Sequence, residues 1–244
     1  MFEEMVFPLL AILLLGLAKG GFGGIGAPVA LPVMSMGLPV ETAIGVLLPV
    51  LLTIDVVNVT THRQNADYRT ILLALPGALV GVGLGSYLIF AIPSHIVGGG
   101  VGAIAILFAV YALTSPKVDT AGLSRWLALP FGMASGFTSS IAHAGGPPIH
   151  IYLLSRGYAQ SRFVATANMF MASVNVLKIG PFVATGTLST DTLRIAVSLV
   201  PVAVVAAILG YFIAKVMPKK MFKYVVNALM ILAGCKLILD AVLG

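Results

Sequence analysis

The chain has 244 residues, of which 59% are hydrophobic and only 9% charged. A soluble domain carries roughly 25% charged residues, so a water-soluble globule is excluded and lipid must solvate most of the surface. The formal net charge of +6 would suit a nucleic-acid partner in a soluble protein, but here the basic residues sit in short loops between apolar runs, where they report membrane topology instead.

The N-terminal stretch MFEEMVFPLL places Glu3 and Glu4, with no Lys or Arg, ahead of the first apolar run. A cleavable signal peptide needs a positive segment there, so residues 5 to 18 are expected in the mature protein. The run over 5–38 is interrupted by GGFGGIGAP at 20–28. Next comes 41–62, which carries Asp55 and Asn58 within an otherwise apolar stretch, followed by clean apolar runs at 70–92 and 96–114. A polar linker, SPKVDTAGLSR at 115–125, precedes a second interrupted segment at 126–157, with GFTSSIAHAGGPP at 136–148. The run at 161–184 carries Asn168, Asn175 and Lys178, and apolar runs at 195–214 and 224–243 complete the chain. A span needs about 20 apolar residues and must satisfy its own backbone hydrogen bonds. None of the runs alternates polar with apolar residues as barrel strands do. The fold class expected is therefore an all-α integral membrane protein. The lone cysteine, Cys235, can form no internal disulfide and reads as a packing residue.

The segments fall into two halves, 1–114 and 126–244. GLPVETAIG at 37–45 matches GYAQSRFVA at 157–165 in position and spacing, which aligns Pro28 with Pro148 and Asp55 with Asn175. Pro76, Gly85 and Pro93 align with Pro201, Gly210 and Pro218. A shared order with a slowly drifting offset is the mark of an internal repeat. Charge decides how the halves face. If each interrupted segment is a re-entrant hairpin followed by three crossings, the second half is inverted. Arg63, Arg69, Lys117, Arg125, Arg156, Arg162, Lys215, Lys219, Lys220 and Lys223 then share one side, Lys19 and Lys178 lie within the membrane, and only Arg194 and Lys236 face the other way. Four full crossings per half would split the basic residues evenly. The positive-inside rule favours the hairpins, with both termini outside.

Two Gly/Pro-broken segments at corresponding places in inverted halves point to a transporter binding site near the midplane. Broken backbone at that depth is tolerated only where it lines a cavity or is buried in protein. Gly23, Gly24 and Gly26 in the first break and Gly145 and Gly146 in the second allow close approach to the main chain. Pro28 and Pro147 or Pro148 suit the first turn of a new helix, whose free N–H groups would favour an anion. The competing reading is that the glycines serve close helix packing. Lys19 is expected to attract an anion or to snorkel to the headgroups, and Lys178, Asn168 and Asn175 form a polar face that must look into the bundle. Asp55 is a partner for Lys19 or Lys178, or a proton carrier. Thr138, Ser139, Ser140 and His143 are candidate oxyanion ligands, and His143 is a second proton-coupling candidate. His143 and His150 are not read as a metal pair, because no Cys or carboxylate accompanies them. Nucleotide-loop, zincin and nucleophile-elbow motifs are absent, so neither enzyme nor cofactor chemistry is expected.

Taken together, KGGFGGIGAP, GLPVETAIGVLLPV, the RQNADYR loop and GFTSSIAHAGGPPIHIYLLSRG resemble the TauE/SafE family of sulfite exporter-like transporters, over about residues 7 to 243. The resemblance implies movement of small sulfur-containing anions across the bacterial cytoplasmic membrane, and no catalytic residues. TSSIAHA in the second break departs from the pure glycine pattern of the first. The expected function is a secondary transporter with a small anionic substrate and protons as the simplest coupling ion. The alternatives are an uncoupled anion pathway and, behind it, an intramembrane enzyme using His143 with Ser139 or Ser140. Homo-oligomer formation stays open.

Overall fold

The computed structural model describes residues 2–21, 27–114 and 123–243. Every regular element among them is helical. The helices are α1 (Phe2–Gly21), α2 (Ala30–Met34), α3 (Val40–His62), α4 (Tyr68–Ala91), α5 (Ser94–Thr114), α6 (Ala128–Ala142), α7 (Gly146–Ser155), α8 (Gln160–Ala184), α9 (Thr190–Val216) and α10 (Lys219–Leu243). Six of them, α3, α4, α5, α8, α9 and α10, are long and apolar enough to cross a membrane. The protein is thus a multi-pass, all-helical membrane protein.

Local chemistry sets where the helices stop and start. Asp67 caps α4 by accepting from the main-chain N–H groups of Arg69 and Thr70, and Ser189 and Thr192 form a capping box at the start of α9. These side chains satisfy amides that have no partner within the helix. Gly157 and Gly186 take φ of 65° and 74° just past α7 and α8, a left-handed turn that costs glycine nothing.

Glycine also sets how closely the helices approach. On α4, a β-carbon added at Gly77 or Gly81 would lie within about 2 Å of the carbonyls of Leu129 and Met133 on α6. From the other side, Gly132 and Gly136 of α6 meet the main chain of Ala74 and Ala78. Contact positions on the two helices rise together, so α4 and α6 run parallel. In the same way Gly16 and Gly20 of α1 sit on Ala203 and Ala207 of α9, and Gly102 of α5 faces Gly234 of α10. Small residues let backbones touch where lipid offers no hydrophobic drive for association.

The principal helix pairs are α1 with α9, α4 with α6, α5 with α10, α3 with α8, α3 with α9 and α4 with α8. Exchanging α1–α5 for α6–α10 turns this set of pairs into itself.

The limbs α6 and α7 fold back on one another: the Ser135 hydroxyl bonds the Gly145 carbonyl, ten residues on. The ends of this hairpin also meet, because Arg156 Nη1 donates to Leu123 O at 3.1 Å and the Tyr152 hydroxyl to Arg125 O at 3.3 Å. At 15 and 10 residues, the limbs measure about 22 and 15 Å, short of the roughly 30 Å of a bilayer core.

Beside that end, the loop before α4 docks on the start of α8. Asp67 N–H donates to Thr166 Oγ1 at 2.9 Å, the Tyr158 hydroxyl donates to Asp67 Oδ2 at 2.5 Å, and Arg162 lies 3.4 Å from the same oxygen. Burial alone would raise the Asp67 carboxyl. Hydrogen bonds from Tyr158 and Thr70, with the Arg162 charge, outweigh it and hold the group below the ordinary carboxylate value. A carboxyl lowered on folding contributes stability above its unfolded pKa of about 3.9, and that contribution is lost as pH falls through the folded value. Wild type is therefore expected to out-melt Asp67→Asn at pH 7, and the gap to close as pH is lowered toward 3. Thermal melts of the two proteins across that range check it, and a gap independent of pH would reject it.

Candidate functional site

The break between α6 and α7 is built around His143. Its main chain takes φ 48°, a left-handed conformation that is uncommon outside glycine. There its N–H bonds Ser139 O at 3.0 Å, and Ala144 N–H bonds Thr138 O at 3.2 Å, which closes the end of α6. Gly146 then opens α7, with proline in the first helical positions, where no amide hydrogen is needed. The strained conformation turns the imidazole into the centre of the molecule. Its Nε2 lies 2.9 Å from Ile44 O on α3, and its Nδ1 lies 2.9 Å from Lys178 Nζ on α8. A carbonyl can only accept, so Nε2 carries the hydrogen and Nδ1 accepts from Lys178.

A second cluster lies beside it. Lys19, in the last turn of α1, pairs with Asp55 of α3 at 2.6 Å. The other carboxylate oxygen accepts from Asn175 Nδ2 of α8 at 2.5 Å. Asp55 and Asn175, aligned by the sequence repeat, are thus in direct contact where α3 crosses α8. Among the described residues, Asn175 Oδ1 and Ser139 Oγ are buried and have no hydrogen-bond partner.

Lys19, Asp55, Asn175 and His143 line the polar floor of a cavity of about 620 Å³, within the usual range for ligand sites. Its walls are largely apolar, with Leu47 and Leu51 of α3, Phe108 of α5 and Met230 of α10. Its outer part is lined by the last turns of α5 (Tyr111, Ala112) and α7 (Leu154) and the first turn of α8 (Gln160, Phe163). These are the helix ends beside Arg125, Arg156 and Arg162, so the cavity leads to the basic face.

The residues singled out in the sequence do not all come together. Lys19, Asp55, His143, Gly146, Asn168 and Asn175 come together around the cavity. Lys178 does not line it. Its side chain is wholly buried and reaches the cavity only through His143, because its long stem runs along the bundle interior to the end of α6. Thr138, Ser140 and Gly145 face elsewhere. The Thr138 hydroxyl bonds Ala134 O one turn back, Ser140 bonds Val82 O of α4, and Gly145 packs on Ser135 and Ser139. Ser139 contributes a main-chain carbonyl, 3.3 Å from Lys178 Nζ. Gly23, Gly24 and Gly26 lie outside the described residues. Pro28 stands in a 3-10 turn, Ala27–Val29, that runs directly into the five-residue α2, and it lines the cavity.

The sequence reading passed over Phe108, Tyr111 and Asn227. The first two sit in a clean apolar run where nothing distinguishes a cavity wall from a lipid face. Asn227 is a lone polar residue in α10, almost fully buried with its amide on Lys223 O, and an isolated amide in a membrane run was the available signal. No group of three or more His, Cys, Asp or Glu able to hold a metal occurs among the described residues.

The family model described as sulfite exporter TauE/SafE matches residues 8–237. No curated protein and no solved structure matches the chain.

Proposed function

The chain belongs to the sulfite exporter TauE/SafE family of membrane transporters, and from that premise we propose that it is a secondary transporter for a small anion, a sulfur oxyanion or an organosulfonate. Substrate binds on the cavity floor and crosses the cytoplasmic membrane by alternating access between two inverted halves, 1–114 and 126–244. One observation carries this reading: the floor is assembled from both halves, with Lys19 and Asp55 from one and His143 and Asn175 from the other. Midplane sites at repeat interfaces, built on discontinuous helices, are the general arrangement of such transporters.

A two-fold relation between the halves is supported by the exchange symmetry of the helix pairs, and its inverted sense by the directions of the helices. The α6–α7 hairpin has its two ends together at the basic face, whereas α1 runs parallel to α9 and so starts from the opposite face. The basic face is then cytoplasmic, both termini lie outside, and the arrangement described is open inward.

Purified protein in proteoliposomes, offered sulfite, thiosulfate, methanesulfonate and a carboxylate control, is expected to show saturable uptake of at least one sulfur anion and none of the control. Flux that does not saturate and ignores a proton gradient would instead favour an uncoupled pathway. No uptake of any sulfur anion would reject the transport reading for this class.

A further inference from the structure

Among the described residues two lysines, Lys19 and Lys178, and one carboxylate, Asp55, meet inside the bundle, and the carboxylate is already used. Lys19 Nζ holds Asp55 Oδ1 at 2.6 Å, and Asn175 Nδ2 holds Oδ2 at 2.5 Å. Lys178 has no exposed surface. Its partners are Ser139 O at 3.3 Å and His143 Nδ1 at 2.9 Å, with the Phe182 ring centroid 5.8 Å away. Both hydrogen-bonding partners are neutral acceptors, and no carboxylate lies within ion-pair distance of Lys178 among the described residues. The ionisable and charged groups that surround it are His143 at the end of α6, Asp55 on α3 and Lys19 on α1, with His150 of α7 on the same cavity.

A buried charge is sustained only by a counter-charge and a full set of hydrogen bonds. With Asp55 committed to Lys19, an ammonium at Lys178 leaves one positive charge uncompensated. The cavity is where the missing negative charge can enter, and His143 stands between the two, touching both. We propose that Lys178 is the proton carrier of the transport cycle: its amine takes up one proton as an anion settles on the cavity floor and gives it back when the anion leaves. No other bond is made or broken. The anion and the proton then travel together, and Asp55 serves as the fixed counter-ion of Lys19. This rests on the transporter reading above.

The test counts protons. Calorimetric titration of methanesulfonate and thiosulfate, neither of which titrates near neutrality, is run in two buffers of different ionisation enthalpy. Wild type is expected to take up about one proton per bound anion. Lys178→Arg, charged throughout, should bind with no proton uptake. Lys178→Met should bind at least tenfold more weakly, also with none, and carries the test if the arginine does not fit. Wild-type binding without proton uptake, or uptake unchanged in either variant, overturns the proposal.

If neither anion binds, the transport reading fails for them, and the charge of Lys178 is read directly. In protein labelled with ¹⁵N-lysine and kept free of sulfur anions, the Nζ resonance lost in Lys178→Met should be that of an amine. An ammonium resonance there overturns the proposal.

Discussion

Replacing Asp55 with leucine is expected to cost about 3 kcal/mol or more of stability and to abolish uptake, because it strands the Lys19 charge that the carboxylate neutralises. It also leaves the Asn175 amide without its acceptor, a further loss of about 1 kcal/mol or more for a buried donor. The pair is only slightly accessible, with side-chain exposures of 14% for Lys19 and 6% for Asp55, so solvent offers little compensation. Replacing both partners, Lys19→Met with Asp55→Leu, should recover most of the lost stability, since apolar side chains of similar volume substitute well for a buried ion pair. It should recover none of the uptake, because the cation on the cavity floor is gone. Thermal melts of the single and double variants, with uptake in proteoliposomes, separate the two roles. An Asp55→Leu protein as stable as wild type would mean that the pair is solvated and contributes little.

That pair also shows where the sequence was and was not readable. Six long apolar runs and two Gly/Pro interruptions follow from the length a bilayer demands and from backbone punctuation, both local properties. The contact between Asp55 and Asn175 was within reach because the repeat alignment matched them, and residues matched by a two-fold exchange meet where the two elements cross. Which lysine takes Asp55 was not readable. The sequence puts both Lys19 and Lys178 within the membrane, and only the three-dimensional arrangement brings Lys19 to 2.6 Å from Asp55.

The second break shows the same limit at finer scale. Ser139 and His143 are four residues apart and share a helix face, whereas Thr138 and Ser140 point about 100° to either side. Helical spacing would have separated them, had the end of α6 been placed at Ala142 and not earlier. The left-handed turn at His143 could not be read at all, since nothing local in AHAGG requires it. Its imidazole is held by Ile44 and Lys178, more than thirty residues away in each direction. Glycine was the most ambiguous residue. The same composition serves the breaks and the helix crossings, and only three-dimensional proximity tells Gly81, pressed on a carbonyl, from Gly83, which has nothing within 4 Å.

Gly81 and Gly83 therefore make a matched experiment on the support of the site. A β-carbon at Gly81 would lie 2.1 Å from Met133 O, and one at Gly136 would lie 2.3 Å from Ala78 O. Both opposing atoms are backbone, so relief requires the helices themselves to part. Gly81→Ala and Gly136→Ala are each expected to destabilise by about 2 kcal/mol, the scale of an overpacked core. Gly83→Ala, two residues from the first, should be neutral or up to about 1 kcal/mol stabilising through helix propensity. The functional consequence follows from the geometry of the hairpin. His143 is fixed to α6, whose position is set by its seat on α4, while its partners Ile44 and Lys178 belong to α3 and α8. Parting α4 from α6 by even half an ångström pulls the imidazole from two hydrogen bonds at 2.9 Å, so both destabilising variants should also lose most uptake at temperatures where they remain folded. Melting and uptake measured together on the three alanine variants decide the matter. If Gly81→Ala keeps full uptake at reduced stability, the hairpin tip is positioned by α3 and α8 alone and not by the crossing with α4.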